Sequence, residues 1–301
     1  MEKEYSVKLA LFGIIKVIAF LISVLILQQL VSMPIGAISA KYWSKFDGHG
    51  LNEPFFFSTV TAFLLVTIFV SFVFLKFVDK KNWSYIRVAS NTKSRYFIIG
   101  ILYSFAAVLL FIALTLVSAT TEISAKTIAF PDSVLYLIFA FTGIVIAASV
   151  EELITRGYFL KTLENHGNAI FAVLVSSSVF SLMHISNSNL SFVGLFNIFL
   201  VGGLLGIVCI SYNSLWLPLG LHVGWNFLLN LFNFPISGQN YPNPIFKLEY
   251  HEYSLVSGSK FGPEDSLFIT FLILSLIGFL FIKFRRKLFG QPLIAQSSKD
   301  D

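Results

Sequence analysis

Eight apolar runs dominate the chain, near residues 9–31, 55–77, 96–118, 134–160, 169–185, 190–210, 215–233 and 266–283. A helix crosses the ~30 Å hydrocarbon core of a bilayer with about 20 mostly apolar residues. In lipid each backbone polar group must also be satisfied inside the segment. Runs of this length and number point to one architecture, an all-α polytopic membrane protein with about eight transmembrane helices. Composition agrees, since only 12% of the 301 residues are charged, against about 25% in soluble domains. The first run follows Lys3 and Lys8, as a signal peptide would. It exceeds the ~7–15 apolar residues of such a leader, and "GAISAK" is a poor cleavage site, so it is expected to stay as a helix.

Lys and Arg set the expected orientation. Lys76, Lys80, Lys81, Arg87, Lys93 and Arg95 lie around the loop between the second and third runs, and Lys283, Arg285, Arg286 and Lys287 follow the last. The alternate loops are poor in positive charge: 119–133 holds only Lys126, and 234–265 holds Lys247 and Lys260 against four acids. The positive-inside rule therefore puts both termini in the cytoplasm, which an even number of spans allows. The expected organisation is 1–133 as three N-terminal membrane helices, 134–232 as a core of four, 233–265 as an outer loop, and 266–301 as a final helix with a basic tail.

The outer loop, rich in Pro, Gly and Asn, reads as irregular. His251 within it and His49 in the first outer loop read as solvated, and Ser297–Asp301 as a disordered end. The net charge of +5 does not indicate nucleic acid, because the basic residues sit beside membrane segments and form no continuous patch. Cys209, the single cysteine, excludes an internal disulfide and reads as a packing residue.

Against this background "ASVEELITRGYFLKTLEN", residues 148–165, stands out, because Glu151 and Glu152 lie where charge is costly. A charge at bilayer depth costs about 2.5–3.5 kcal/mol or more, so an ionisable group there is a functional candidate by default. Lys161 and Arg156 follow, and such side chains near a helix end snorkel to the headgroups. With the interface at Lys161, Glu151 lies about 15 Å inside. "HGN" at 166–168 reads as a tight turn, so residues at equal depth in the resulting hairpin sum to about 334. The opposite number of Glu151 is then 183, beside His184. The next two spans join at "SYNS", which brings His222 to the same depth, with Asn226 one turn on and on the same face.

Taken singly, each residue has a structural explanation. Glu152 and Arg156 stand at i,i+4 and could form a helix-surface ion pair. His184, His222 and Asn226 could each be an interhelical hydrogen bond. Phe180 could be packing, and "GGLLG" at 202–206 reads as small residues for close helix contact. Four polar groups at one depth from three helices would need four separate explanations of this kind.

Glu151, Glu152 and Arg156 form E-E-x-x-x-R followed by "GY"; Phe180 and His184 form F-x-x-x-H; His222 and Asn226 form H-x-x-x-N. This ordered set resembles the CPBP family, also called the Abi or CAAX-protease family, of intramembrane glutamic endopeptidases related to the type II CAAX prenyl endopeptidase. The resemblance spans roughly residues 134–232. It implies that Glu151 is the general base activating a water, with His184 helping to position that water. His222 and Asn226 would stabilise the oxyanion, with Glu152, Arg156 and Phe180 in support. It further implies a membrane-associated peptide or protein substrate, with prenylated proteins the substrates of eukaryotic members and bacteriocin immunity or peptide processing the settings of bacterial ones.

The residues themselves are compatible with that chemistry. No Ser or Cys is evidently paired with the histidines, although "SSS" at 176–178 lies two turns before His184; a directly attacking water is simpler than an acyl-enzyme. No cofactor is expected. Zinc on two His and a Glu is the alternative, disfavoured because H-E-x-x-H is lacking and the ligands would come from three helices. Two further functions remain open at this stage: a non-catalytic binding or immunity protein on the same fold, and a proton-coupled transporter with a Glu/His relay, though the chain shows neither broken helices nor repeats. The expected location is the bacterial cytoplasmic membrane, with the bilayer itself as a partner.

Overall fold

The computed structural model describes residues 7–42, 54–89, 92–125, 132–241, 245–251 and 253–289. Among these the helices are α1 (Val7–Tyr42), α2 (Pro54–Val73), α3 (Lys93–Val117), α4 (Asp132–Glu152), α5 (Leu160–His166), α6 (Ala169–Leu182), α7 (Phe192–Tyr212), α8 (Trp216–Leu231) and α9 (Leu267–Phe289). Two π-helical turns, Phe74–Val78 and Leu153–Phe159, extend α2 and join α4 to α5. The chain is thus an all-α integral membrane protein, and helices occupy all eight expected apolar runs. Six of these stretches are long and apolar enough to cross a bilayer. The other two, α6 with 14 residues and α8 with 16, are shorter than the sequence reading expected. Each ends in turns lying against the 233–265 segment, where Asn187 after α6 donates to the Ser237 carbonyl at 2.8 Å.

That segment is more regular than expected. Strand β2 (Phe246–Tyr250) pairs antiparallel with β1 (Thr121–Ala125), Ile123 opposite Leu248. The alternation in "FKLEY" explains it: Phe246, Leu248 and Tyr250 are half-buried, while Lys247 and Glu249 are exposed and ion-paired with each other. A Pro263–Asp265 3-10 turn then leads into α9. Asn197 on α7 donates to the Glu264 and Ser266 carbonyls at 2.7 and 3.0 Å, fastening this end of the segment. His251 is exposed and faces Glu122 at 3.5 Å. His49, Lys3, Lys126 and Ser297–Asp301 lie outside the described residues, and the basic residues 283–287 belong to the last turns of α9 rather than to a tail.

Close backbone approaches fix the helices that carry polar groups. A methyl group on Gly220 of α8 would stand 2.1 Å from the Phe97 carbonyl oxygen of α3, so only glycine permits this crossing two residues before His222. The small residues of "GGLLG" serve contact as expected, with a Cβ on Gly202 falling 3.0 Å from Ser177 of α6. On the other side of α6, Asn168 caps its first turn by accepting from the Phe171 N–H at 2.8 Å, closing the expected tight turn after His166.

Candidate active site

The two adjacent glutamates go to different environments. Glu152 is completely buried, while the Glu151 side chain is 29% exposed. Between them and α5 the helix widens into the π turn: the Leu160 N–H reaches back to the Thr155 carbonyl, and the Thr155 hydroxyl donates to the Glu151 carbonyl at 2.6 Å. Such π turns recur at functional sites, where they re-aim side chains.

Arg156 does not snorkel. It is fully buried, donating Nη1 to Glu152 Oε1 at 2.8 Å and to Thr155 Oγ1 at 2.9 Å, and Nη2 to the Gly202 carbonyl at 3.3 Å. The i,i+4 ion pair with Glu152 therefore exists, but as an interior pair and not on a helix surface. The physical reason is a counter-ion already waiting inside: with Glu152 sealed from water, turning Arg156 outward would strand a buried carboxylate. The Phe180 ring covers the guanidinium, its centroid 4.1 Å from Cζ. The same ring stands edge-on to both imidazoles, 5.0 Å from His184 and 6.0 Å from His222. Phe180 thus does more than fill space: one ring touches the buried cation and both histidines.

The hydrogen bonds of the histidines define which nitrogens face Glu151. His184 Nδ1 lies 2.8 Å from the Phe180 carbonyl, which only accepts, so Nδ1 carries the proton and Nε2 points onward. His222 Nδ1 donates likewise to Glu152 Oε1 at 3.0 Å. The two Nε2 atoms then lie 4.0 Å (His184) and 3.9 Å (His222) from Glu151 Oε2. Both distances are too long for a direct hydrogen bond. Glu151 Oε2 has no hydrogen-bond partner among the described residues. Three polar atoms, from α4, the turn after α6 and α8, therefore surround one small volume, at a spacing suited to sharing a water-sized group. Asn226, half-buried one turn beyond His222, lines the same cavity. Ser177 and Ser178 donate to carbonyls of their own helix, and neither bonds a histidine.

That cavity measures about 740 Å³ and runs between α3, α7, α8 and α9, mostly along apolar side chains. A second one of about 600 Å³, between α1, α2, α4 and α6, shares Phe56, Ala147, Glu151 and Tyr241 with it. Glu151 thus stands where two clefts meet. Several lining residues had no sequence signal: Asn187, Ser237, Gln239, Tyr241 and Glu264 come from the turns after α6 and from the 233–265 segment, and Trp225 from α8. Tyr241 is close enough to Glu151 that, after burial, the carboxylate's charge is the second cause pushing its hydroxyl pKa up. None of these belongs to a spaced motif, and their convergence depends on how the segment folds back. Among the described residues no group of three His, Cys, Asp or Glu is arranged to hold a metal ion.

Residues 133–228 match the family model for Type II CAAX prenyl endopeptidase Rce1-like proteins. The match covers Glu151, Glu152, Arg156, Phe180, His184, His222 and Asn226. No curated protein and no solved structure matches the chain.

Proposed function

With residues 133–228 as an Rce1-like segment, of the kind that members of the CPBP or CAAX-protease family carry, we propose that this chain is an intramembrane endopeptidase whose nucleophile is a water activated by Glu151. One observation carries the reading: Glu151 Oε2 stands 4.0 and 3.9 Å from the Nε2 atoms of His184 and His222. In this reading the water rests between Glu151 and His184 and gives its proton to Glu151 as it attacks the scissile carbonyl. With His222 as the imidazolium, which carries a proton on each ring nitrogen, its Nε2 and the Asn226 amide donate to the oxyanion that forms. Glu151 then returns the proton to the departing amine, and the peptide bond is hydrolysed with no acyl-enzyme. Glu152 acts through His222: by accepting from Nδ1 it fixes the ring so that Nε2 faces the carbonyl. Arg156 and Phe180 hold Glu152 in place and touch no reacting atom.

The reaction so described is metal-independent, and its substrate is a membrane-embedded or membrane-anchored polypeptide reaching Glu151 through the apolar clefts. We place the termini on the cytoplasmic side of a bacterial plasma membrane, following the Lys and Arg distribution. The test compares the membrane peptides of cells carrying the wild-type protein with those of cells carrying Glu151→Gln. The expected result is a loss of cleavage of about 10²–10⁴-fold, with the amount of folded protein unchanged. Products that persist at the wild-type level would overturn the mechanism and favour a non-catalytic binding protein.

A further inference from the structure

Glu264 is a buried carboxyl that the mechanism does not use. It belongs to the 3-10 turn before α9, is 5% exposed, and lines the same cavity as Glu151, His184, His222 and Asn226. One of its oxygens accepts from the Trp225 indole N–H at 3.2 Å and from the Ser237 hydroxyl at 3.4 Å. The other, Oε2, is buried and has no hydrogen-bond partner among the described residues. Among the described residues no cation pairs with it. The Lys or Arg among the residues lining the cavity is Lys283, about 24 Å along α9 from the first residue of that helix, Leu267. Arg156 is spent on Glu152 and is no part of the cavity wall. Desolvation by burial pushes the Glu264 carboxyl up to about 7, against hydrogen bonds from the Glu264 and Ser237 backbone and the Trp225 and Ser237 side chains. A buried carboxyl without a counter-charge is costly unless something pairs with it, and a cation in the cavity would supply that pairing.

Its place relative to the chemistry follows from α8. Trp225, which holds Glu264, lies between His222 and Asn226 in sequence, about 4.5 Å along the helix from His222. A peptide lying extended past these residues advances about 3.3–3.6 Å per residue. The Glu264 side chain therefore stands beside the part of a substrate within about three residues of the bond being cut.

We infer that Glu264 is a specificity-determining subsite that takes the ammonium or guanidinium group of a basic residue within about three positions of the cleaved bond. This rests on the endopeptidase reading. An exposed acid would discriminate weakly, but one buried beside an indole selects strongly, because an uncharged substrate leaves Oε2 unsatisfied.

The experiment reconstitutes the full chain in liposomes with synthetic reporter peptides. Each has an apolar 20-residue span and a flank in which one position at a time is Lys, Arg, norleucine or Glu. For the wild type, Lys or Arg at one or two positions is expected to raise kcat/KM about tenfold or more over norleucine, and Glu to lower it. Glu264→Gln keeps an amide oxygen for Trp225, so a merely structural latch would survive it. The expected effect is loss of the Lys/Arg preference, read as the ratio of kcat/KM for Lys or Arg peptides to that for norleucine peptides falling to about one. A wild type that cleaves without preference, or a preference unchanged in Glu264→Gln, overturns the subsite while leaving the peptidase standing. The preference is first read in the wild type, so it stands even where the variant fails to fold. If the wild type cleaves no peptide in a Glu151-dependent way, the endopeptidase reading fails and the subsite with it.

Discussion

Buried charge is handled differently in two regions of this protein. Near the ends of α1 and α5, carboxylates are met by cations: Asp79 by Lys16 at 2.5 Å and by the Tyr158 hydroxyl at 2.8 Å, and Glu164 by Arg87 at 2.6 Å and Lys161 at 3.1 Å. Arg87 also donates to Asn213, tying the loop after α2 to the end of α7. Around the central cavity the pattern inverts. Glu151 and Glu264 each present an oxygen with no hydrogen-bond partner among the described residues, and both line that cavity. The pair Glu152–Arg156 marks the border, fully buried like a structural pair yet bonded to His222. Paired charges hold helices in place, whereas unpaired ones are useful only to something that enters.

Four outcomes would sharpen or break that contrast, beyond the loss of cleavage expected for Glu151→Gln. The largest is at the border. Arg156→Met fills similar volume but strands Glu152, and should lower stability by about 3–5 kcal/mol. Adding Glu152→Gln should recover much of that, read as melting temperatures of the purified protein in detergent. Non-additivity is the point of the cycle, and additive losses would mean that the two residues do not act as a pair. Next is Asn226→Ala, which should cut kcat about 10²–10³-fold with melting unchanged. A comparable fall in melting temperature would make Asn226 interhelical glue instead.

A smaller effect concerns Glu264. Its folded pKa of about 7 exceeds the ordinary 4.5, so the folded chain holds the proton more tightly. The stabilisation this brings is complete below pH 4.5 and is lost as the pH rises through about 7. Amide exchange in 233–265 should therefore quicken across that window beyond its intrinsic pH dependence, and Glu264→Gln should abolish the extra slope. The smallest expected effect is that of a chelator, which should leave cleavage unchanged. Activity lost on chelation and restored by zinc would replace the water-activating role of Glu151 with metal coordination.

Much of the site was legible because helices obey a fixed rise. Counting from the turn at 166–168 put Glu151 level with residue 183, and the structure puts His184 Nε2 4.0 Å from it. His222 came from the same arithmetic, on a turn whose Asn213 adopts a left-handed conformation. The count failed where side-chain direction mattered. Spacing left Arg156 open as a helix-surface partner of Glu152, and the pair is instead wholly interior, because the choice between water and the protein interior depends on what seals the helix. Strand β2 was missed for another reason: alternation over five residues is a short signal inside a loop rich in Pro and Gly, and its partner lies in a different loop.

Apolar run lengths and the rise of a helix are local properties, so the amino-acid order alone determined an all-α membrane protein and the shared level of an acid, two imidazoles and an amide. Only the tertiary structure decided which glutamate is sealed and which is open, that Phe180 packs on Arg156 and on both histidines at once, and that Glu264 joins the cavity. Those outcomes turn on solvent access and on contacts between segments far apart in the chain, which no local spacing encodes.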